Sequence, residues 1–324
     1  MKKTVLAALL ALLIGYALSY AAVKTHPDIF VSPSPAPIPV ESGEEPPDTI
    51  CVKHGDTVEE TALREYLIGV VAAEMPAGFE TEALKAQSVA ARTYAMYCMS
   101  TSRHADADVC DDYRCCQAWS SEDALREKWG ADYDALHSRI ESAVDATAGQ
   151  TLRYRGEPIL AAFHSSSDRR TESSAEVWGG ALPYLVSVDS PENAATVPNF
   201  VSTVELDALD FRDTLLHEHG EADFSGDPET WIGEVEYTDG GRVDAITLGG
   251  VRFTGRELRE LFALRSTDLT LDYSDGVFVF TVTGFGHGVG MSQYGAQRMA
   301  SEGAGYRDIL AHYYPGTKLS YTLS

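Results

Sequence analysis

At 324 residues the chain is long enough for one large domain or two ordinary ones and does not need disulfides to build a core. Its 44% hydrophobic and 23% charged residues exclude a wholly disordered chain. Lysine and arginine total 25 against 49 acids, and the resulting net charge of −24 argues against nucleic acid as a partner and against adhesion to anionic lipid.

Lys2 and Lys3 precede an uncharged stretch at 4–23. At about 1.5 Å per residue that stretch makes roughly 30 Å of helix, the thickness of a hydrocarbon core. The reading is a signal-anchor or transmembrane segment over 1–24, its lysines cytoplasmic and everything after it extracytoplasmic. A cleaved signal peptide, cut near Ala21 and Ala22, is the alternative, but the apolar run exceeds the ~7 to 15 residues of a signal core. Over 25–49 the prolines Pro27, Pro33, Pro35, Pro37, Pro39, Pro46 and Pro47 make a semi-rigid extended linker. No repeat at solenoid or propeller period follows, so 50–324 is read as the working domain.

Within 59–74, Leu63, Leu67 and Val70 recur at helical spacing and the next step of four lands on Glu74. Pro76 disfavours helical geometry at Met75, so this helix ends at about Glu74. Thr81 is expected to cap a second helix through EALKAQSVAARTYAM, with Lys85, Ser88 and Arg92 on one face. A helix is expected over 125–148, then strands over 151–154 and 158–163 that turn at Gly156. Between 193 and 275 an inserted α/β subregion is read from strands at 233–237, 243–249 and 269–273 and a helix at 257–262. VFVFTVTGFGHGVGMSQYGAQRMASEG then gives a strand, a glycine-rich loop and a helix stopped by Gly303. The fold class is α+β: a mixed helical and β catalytic domain with this insert, after one N-terminal transmembrane helix.

Glu74 carries the sharpest chemical signal. Desolvation on an apolar helix face and the negative end of the helix dipole both raise a carboxyl's proton affinity there. An acid kept neutral near pH 7 can protonate a glycosidic oxygen, although a solvent-facing glutamate at a frayed helix end has the same periodicity. Arg92 offers a donor for an anionic ligand, whereas Lys85 reads as surface charge. FHSSS places His164 and three hydroxyls at a strand end but lacks a nucleophile elbow. GFGHGVG, around His287, lets backbone approach a ligand closely, and with neither a Lys-Ser/Thr ending nor a βαβ fingerprint it is not a nucleotide site. His104, Cys110, Cys115 and Cys116 form H-x5-C-x4-CC, enough soft ligands for a closed structural zinc site. Reduced surface thiols, or a disulfide to Cys98 or Cys51, are the other readings.

Taken together and in this order, VVAAEMPAGFETEALKAQSVAARTYAM, FHSSSDRRTESSAEVWGGALPYLVSVDSP, GRELRELFALRST and GHGVGMSQYGAQRMASEGAGYRDILAHYYPGTKL resemble the stage II sporulation protein D family over about residues 50–324. The resemblance implies a membrane-anchored lytic transglycosylase that acts on peptidoglycan glycan strands freed of stem peptides during engulfment of the forespore. It implies location at the sporulation septum or engulfing membrane, and cooperation with the amidase stage II sporulation protein P and the membrane protein stage II sporulation protein M. The family's catalytic glutamate falls on Glu74 and its groove arginine on Arg92. Its HS motif falls on His164 and Ser165, and its GHGVGMSQ motif supplies His287 and Gln293. Some members bind zinc through H-x5-C-x4-HC, which here has Cys115 at the second histidine position. A further departure is that Asp168, Arg169 and Arg170 follow FHSSS where the family has glycines.

On this reading Glu74 protonates the oxygen leaving the muramyl C1 and then takes the proton of that sugar's 6-hydroxyl, giving a 1,6-anhydro end. Glu80 and Glu82 are near enough in sequence for a two-carboxylate hydrolase to compete. The alternative from another class is a noncatalytic glycan-binding protein that recruits or stimulates a wall amidase.

Overall fold

The computed structural model describes residues 38–42 and 46–321. The expected membrane segment over 1–24 and the linker through residue 37 lie outside the described residues. Among the described residues no helix is long and apolar enough to cross a membrane.

The first half of the chain runs through β1 (Val40–Ser42), β2 (Thr49–His54), β3 (Thr57–Ala62), α1 (Leu63–Glu74) and α2 (Thr81–Thr101). It continues with β4 (Val109–Cys110), α3 (Glu122–Trp129), α4 (Tyr133–Ala146), β5 (Thr151–Tyr154), β6 (Glu157–Pro158), β7 (Phe163–His164) and α5 (Ser174–Trp178). The helix read over 59–74 starts late because 57–62 pairs with β2 as a hairpin, His54 opposite Thr57, with Gly55 at φ +59° in the turn. Thr81 opens α2 without capping it. Glu80 occupies the cap position, and its N–H donates to the Gln297 side chain at 2.6 Å. The helix expected over 125–148 breaks at Gly130, whose φ of +51° no regular helix accepts.

α2 is the axis of the main core. Ala83, Ala86, Ala90, Ala91 and Ala95 are fully buried on it, and such small side chains let α4 (Tyr133–Ala146) approach closely. The end of the expected linker belongs to this domain: Ile38 is buried in the main core, and β1 lies parallel to the last strand of the chain, Val40 opposite Leu319. No proline falls on the paired residues Val40, Glu41 and Ser42, so that ladder keeps its N–H donors.

The insert comprises β8 (Val201–Asp207), α6 (Ala208–Glu218), β9 (Ile232–Tyr237), β10 (Val243–Leu248), β11 (Val251–Thr254), α7 (Gly255–Leu261), β12 (Leu269–Ser274) and β13 (Val277–Thr283). Two antiparallel sheets, in orders β11-β10-β9 and β12-β13-β8, enclose a second core of aromatic rings. Phe211 stacks on Phe278 with ring centres 3.9 Å apart, and Trp231 lies parallel to Phe278 at 5.6 Å. β13 is the central strand of its sheet, so the second core draws on residues through Val282, beyond the 193–275 read from the sequence.

The chain then returns to the main core through β14 (Met291–Ser292), α8 (Gln293–Ser301), α9 (Tyr306–Tyr313) and β15 (Lys318–Tyr321). β14 pairs in parallel with β7, Ser292 opposite His164, which joins the GHGVGMSQ segment to the HS segment. The mixed α+β class read from the sequence describes the domain.

Candidate active site

α1 stops where Pro76 requires it. Met75 turns extended at φ −127°, ψ 138°, and Glu74 is left at the helix end, half-buried. The segment beyond is fixed by Arg139, which donates to the carbonyls of Ala77 at 2.8 Å and Phe79 at 2.6 Å. Residues 72–78 form one side of a cleft of about 490 Å³. Lys128, Trp129 and Leu136 line it from α3 and α4, and Ser165, Gln293 and Tyr294 from the β7–α8 region.

The Glu74 carboxyl has a donor at each oxygen. The Ala118 N–H donates to Oε1 at 2.8 Å and the Gln293 Nε2 donates to Oε2 at 3.3 Å. Burial raises its pKa above the ordinary range, and these two hydrogen bonds, which favour the ionised form, oppose the rise without cancelling it. Among the described residues lining the cleft, Glu74 is the only acid. Glu82 is turned away onto Lys85 and the Tyr306 N–H, and Glu80 is exposed outside the cleft lining.

The other residues singled out in the sequence divide into cleft lining and scaffold. Ser165 and Gln293 line the cleft, whereas His164 is buried behind it. The His164 Nδ1–H donates to the Val289 carbonyl at 3.2 Å, leaving Nε2 to accept from the Ser167 hydroxyl at 2.6 Å. Burial, with His287 and Arg242 nearby, holds the His164 pKa well below its ordinary value, so the ring is neutral. His287 packs between Trp178 and His164, and burial lowers its pKa to about 4. The glycines around it are required by close packing on the HS segment. A Cβ on Gly286 would lie 2.8 Å from the His164 Cβ, and one on Gly290, at φ +75°, would collide with the Ala162 carbonyl.

Arg92 is not among the residues lining this cleft. Its guanidinium is 3% exposed and donates to the carbonyls of Thr147 at 2.8 Å, Gln150 at 3.2 Å and Val144 at 3.3 Å, closing the C-terminal end of α4. Burial pulls its pKa down to about 10, so it remains protonated at neutral pH. A charged helix face is read equally well as a ligand contact or as a cap for a neighbouring helix, and here the second holds.

Three participants escaped sequence reasoning. Ala118 acts through its backbone and leaves no side-chain signal. Glu192, 2% exposed, accepts from the Ser167 N–H at 2.8 Å, from the Ser190 hydroxyl at 2.6 Å and from the Ser292 hydroxyl. Arg242 reaches from the insert to the Gly286 carbonyl at 3.0 Å and the Ser167 hydroxyl at 3.1 Å, so the insert buttresses the HS segment.

His104, Cys110, Cys115 and Cys116 converge, one ligand atom from each lying within 4.8 Å of the others. The His104 Nε2 is 3.2 Å from the Cys116 Sγ and 3.9 Å from the Cys115 Sγ. None of the five cysteines is disulfide-bonded. Three sulfurs and one imidazole nitrogen form a donor set able to hold a metal ion. The cluster leads directly into 117–120, the segment that presents the Ala118 N–H to Glu74. That segment also packs on α1 at Gly69, where a Cβ would collide with the Trp119 indole and lie 2.7 Å from the Ser120 carbonyl oxygen.

Residues 53–154 match the family model described as Stage II sporulation protein. The chain is 39% identical over 268 residues to Stage II sporulation protein D of Bacillus amyloliquefaciens, covering 82% of this chain and 76% of that protein. Against Stage II sporulation protein D of Bacillus subtilis (strain 168) it is 37% identical over 296 residues, 90% of this chain and 84% of the relative. Similarity extends to the Amidase enhancer of the same strain, 29% identical over 302 residues, where it covers 78% of this chain but 40% of the enhancer. Identity at this level across most of both sporulation proteins shows that the chain belongs to the stage II sporulation protein D family.

Proposed function

We propose that the protein is a lytic transglycosylase that cuts peptide-free peptidoglycan glycan strands to 1,6-anhydromuramyl ends. One observation carries the reading: among the described residues, the only acid lining the cleft is a half-buried glutamate of raised proton affinity, held at both oxygens by fixed donors. Protonated Glu74 gives its proton to the glycosidic oxygen as the bond to the muramyl C1 breaks and positive charge develops on the ring. The Ala118 N–H and the Gln293 amide then stabilise the carboxylate left behind. That carboxylate takes the proton of the 6-hydroxyl as its oxygen closes on C1, so one carboxyl group serves both steps and no water is added. A hydrolase of the ordinary kind needs a second carboxyl across the scissile bond, and Glu80 and Glu82 are not in the lining.

The same reading places the protein in sporulation, at the engulfing membrane, with its domain outside the cytoplasm and its N-terminal segment as the anchor. Stage II sporulation proteins P and M are its proposed partners, P as the amidase that strips stem peptides before cleavage. Zinc is the metal that the three thiolates and one imidazole suit. His104, Cys110, Cys115 and Cys116 would hold it, and it would supply a structural cross-link and not an activated water. The chain's own residues carry the chemistry, and the cluster serves by holding 117–120 against Glu74.

The likeness to an amidase enhancer favours one second reading, a glycan-binding protein that stimulates a wall amidase without cutting glycan itself. Incubating the full chain with peptide-free glycan and weighing the products separates the two. New 1,6-anhydromuramyl ends support cleavage, ends one water heavier indicate a hydrolase, and intact strands with faster amidase turnover indicate the enhancer.

A further inference from the structure

Removing Arg92 from the groove leaves the substrate's charge unanswered. A peptide-free muramyl residue carries a lactyl carboxylate, and the protein facing it has a net charge of −24. Lys128 is the only cationic side chain among the described residues lining the cleft. It is also exceptional among the described lysines. Lys53, Lys85 and Lys318 each hold a carboxylate, at 2.9, 2.7 and 2.8 Å, whereas Lys128 pairs with none among the described residues. Its ammonium lies 6.0 Å from the centre of the Trp129 ring, and that half-buried indole lines the same cleft.

The geometry points to Lys128 and Trp129 as the subsite that recognises a muramyl residue with a free lactyl carboxylate, a reading that rests on the proposed glycan substrate. An indole face packs against the C–H face of a pyranose, and an adjacent unpaired ammonium can take the carboxylate on its edge. A stem peptide converts that carboxylate to a neutral amide and adds bulk at the same place, so this pair would discriminate peptide-free from peptide-bearing strands. Placement in the last turn of α3 also favours a cation through the helix dipole, and the test must separate the two roles.

Binding is read by calorimetry on the full chain carrying Glu74→Gln, with and without Lys128→Ala or Lys128→Arg. The probes are peptide-free glycan and the same glycan with its lactyl carboxylates converted to primary amides by carbodiimide and ammonia. Lys128→Ala is expected to weaken binding of the carboxylate glycan about fivefold, as for one partly exposed ion pair, and to leave binding of the amidated glycan unchanged. Lys128→Arg should restore affinity to within about twofold, because it returns the charge. Equal affinities with and without Lys128→Ala on the carboxylate glycan would overturn the assignment, as would an equal loss on both glycans, which would mark a structural role. Discrimination with no cleavage by the unmodified chain would leave the subsite standing and remove the transglycosylase. Cleavage with unchanged affinity in Lys128→Ala would do the reverse, and failure to bind either glycan would overturn both.

Discussion

Replacing Glu74 by glutamine separates the acid's chemistry from its shape. Glu74→Gln keeps an oxygen for the Ala118 N–H at 2.8 Å but sets an NH2 against the Gln293 Nε2, which now stands 3.3 Å from Oε2. Rotation of the Gln293 amide about its last bond offers an oxygen instead, so the pair re-forms and the cleft keeps its lining. The proton is what is lost. General acid catalysis contributes about 10²- to 10⁴-fold, so the rate of anhydro-end formation should fall by that factor, or about 2.7 to 5.4 kcal/mol of barrier.

Stability should move the other way, and the sign follows from burial. The folded pKa of Glu74 lies above its ordinary 4.5, so between those values the folded state binds more protons than the unfolded state. Stability therefore falls as pH rises through that window, and its full value is present only below the ordinary pKa. Glutamine carries no such penalty, so Glu74→Gln should gain melting temperature relative to the unmodified chain as pH rises from 4 toward 8. Cleavage followed by mass spectrometry and thermal melts across pH read the two effects. A folded variant with near-normal turnover would refute the catalytic assignment, and a stability difference independent of pH would refute the raised pKa.

Gln293→Ala removes a donor that favours the ionised carboxyl. The alkaline limb of the pH–rate profile should shift to higher pH while the maximal rate falls about tenfold, and an unmoved limb would show that Gln293 does not act on Glu74. Arg92→Ala orphans three carbonyls at the end of α4 and should cost about 2 to 4 kcal/mol in denaturant unfolding, with glycan affinity unchanged below the transition. Unchanged stability with weakened glycan binding would return Arg92 to the groove. The purified chain should carry about one zinc, and chelation should lower its melting temperature before it lowers the rate; protein free of zinc after reducing, zinc-replete preparation would remove the site.

What was legible in the sequence was what punctuation and periodicity encode. Pro76 fixed the end of α1, a step of four placed Glu74 on the buried stripe, and alternation found β9, β10 and β12 to within a residue or two. The hairpin at 49–62 was hidden because Leu63 continues a helical spacing into residues whose Thr and Val content suits a strand. β8 was missed because only Val204 and Leu206 mark its inward face, with Ser202 on that face and Val201 on the other, and its partner β13 lies about 70 residues away. The cysteine cluster was legible because thiol and imidazole ligands are rare side chains whose spacing shows in the sequence, whereas the direction of Arg92 was not, since nothing local tells a helix cap from a ligand contact. No pattern in the sequence could mark Ala118, whose contribution is a backbone N–H that every residue but proline possesses.

The two donors to Glu74 lie 44 and 219 residues away in the chain, so the acid's proton affinity depends on the whole domain being closed. Each of the three segments that meet there has its own anchor. The end of α1 is held by Arg139 on the carbonyls of Ala77 and Phe79, and 117–120 by the thiol cluster on one side and the Gly69 contact on the other. Gln293 follows β14, which is pinned to β7 and to the buried Glu192 through the Ser292 hydroxyl. The HS and GHGVGMSQ motifs are consequently for the most part a clamp behind the cleft: neutral His164 ties the Ser167 hydroxyl to the Val289 carbonyl, and Arg242 donates to that hydroxyl and to the Gly286 carbonyl. A misplacement of about 1 Å at a reacting group can cost about 10²-fold in rate, so residues that never touch the substrate can still be constrained by the proposed reaction. That accounts for motif residues sitting out of reach of the cleft while the two that line it, Ser165 and Gln293, sit directly against those that do not.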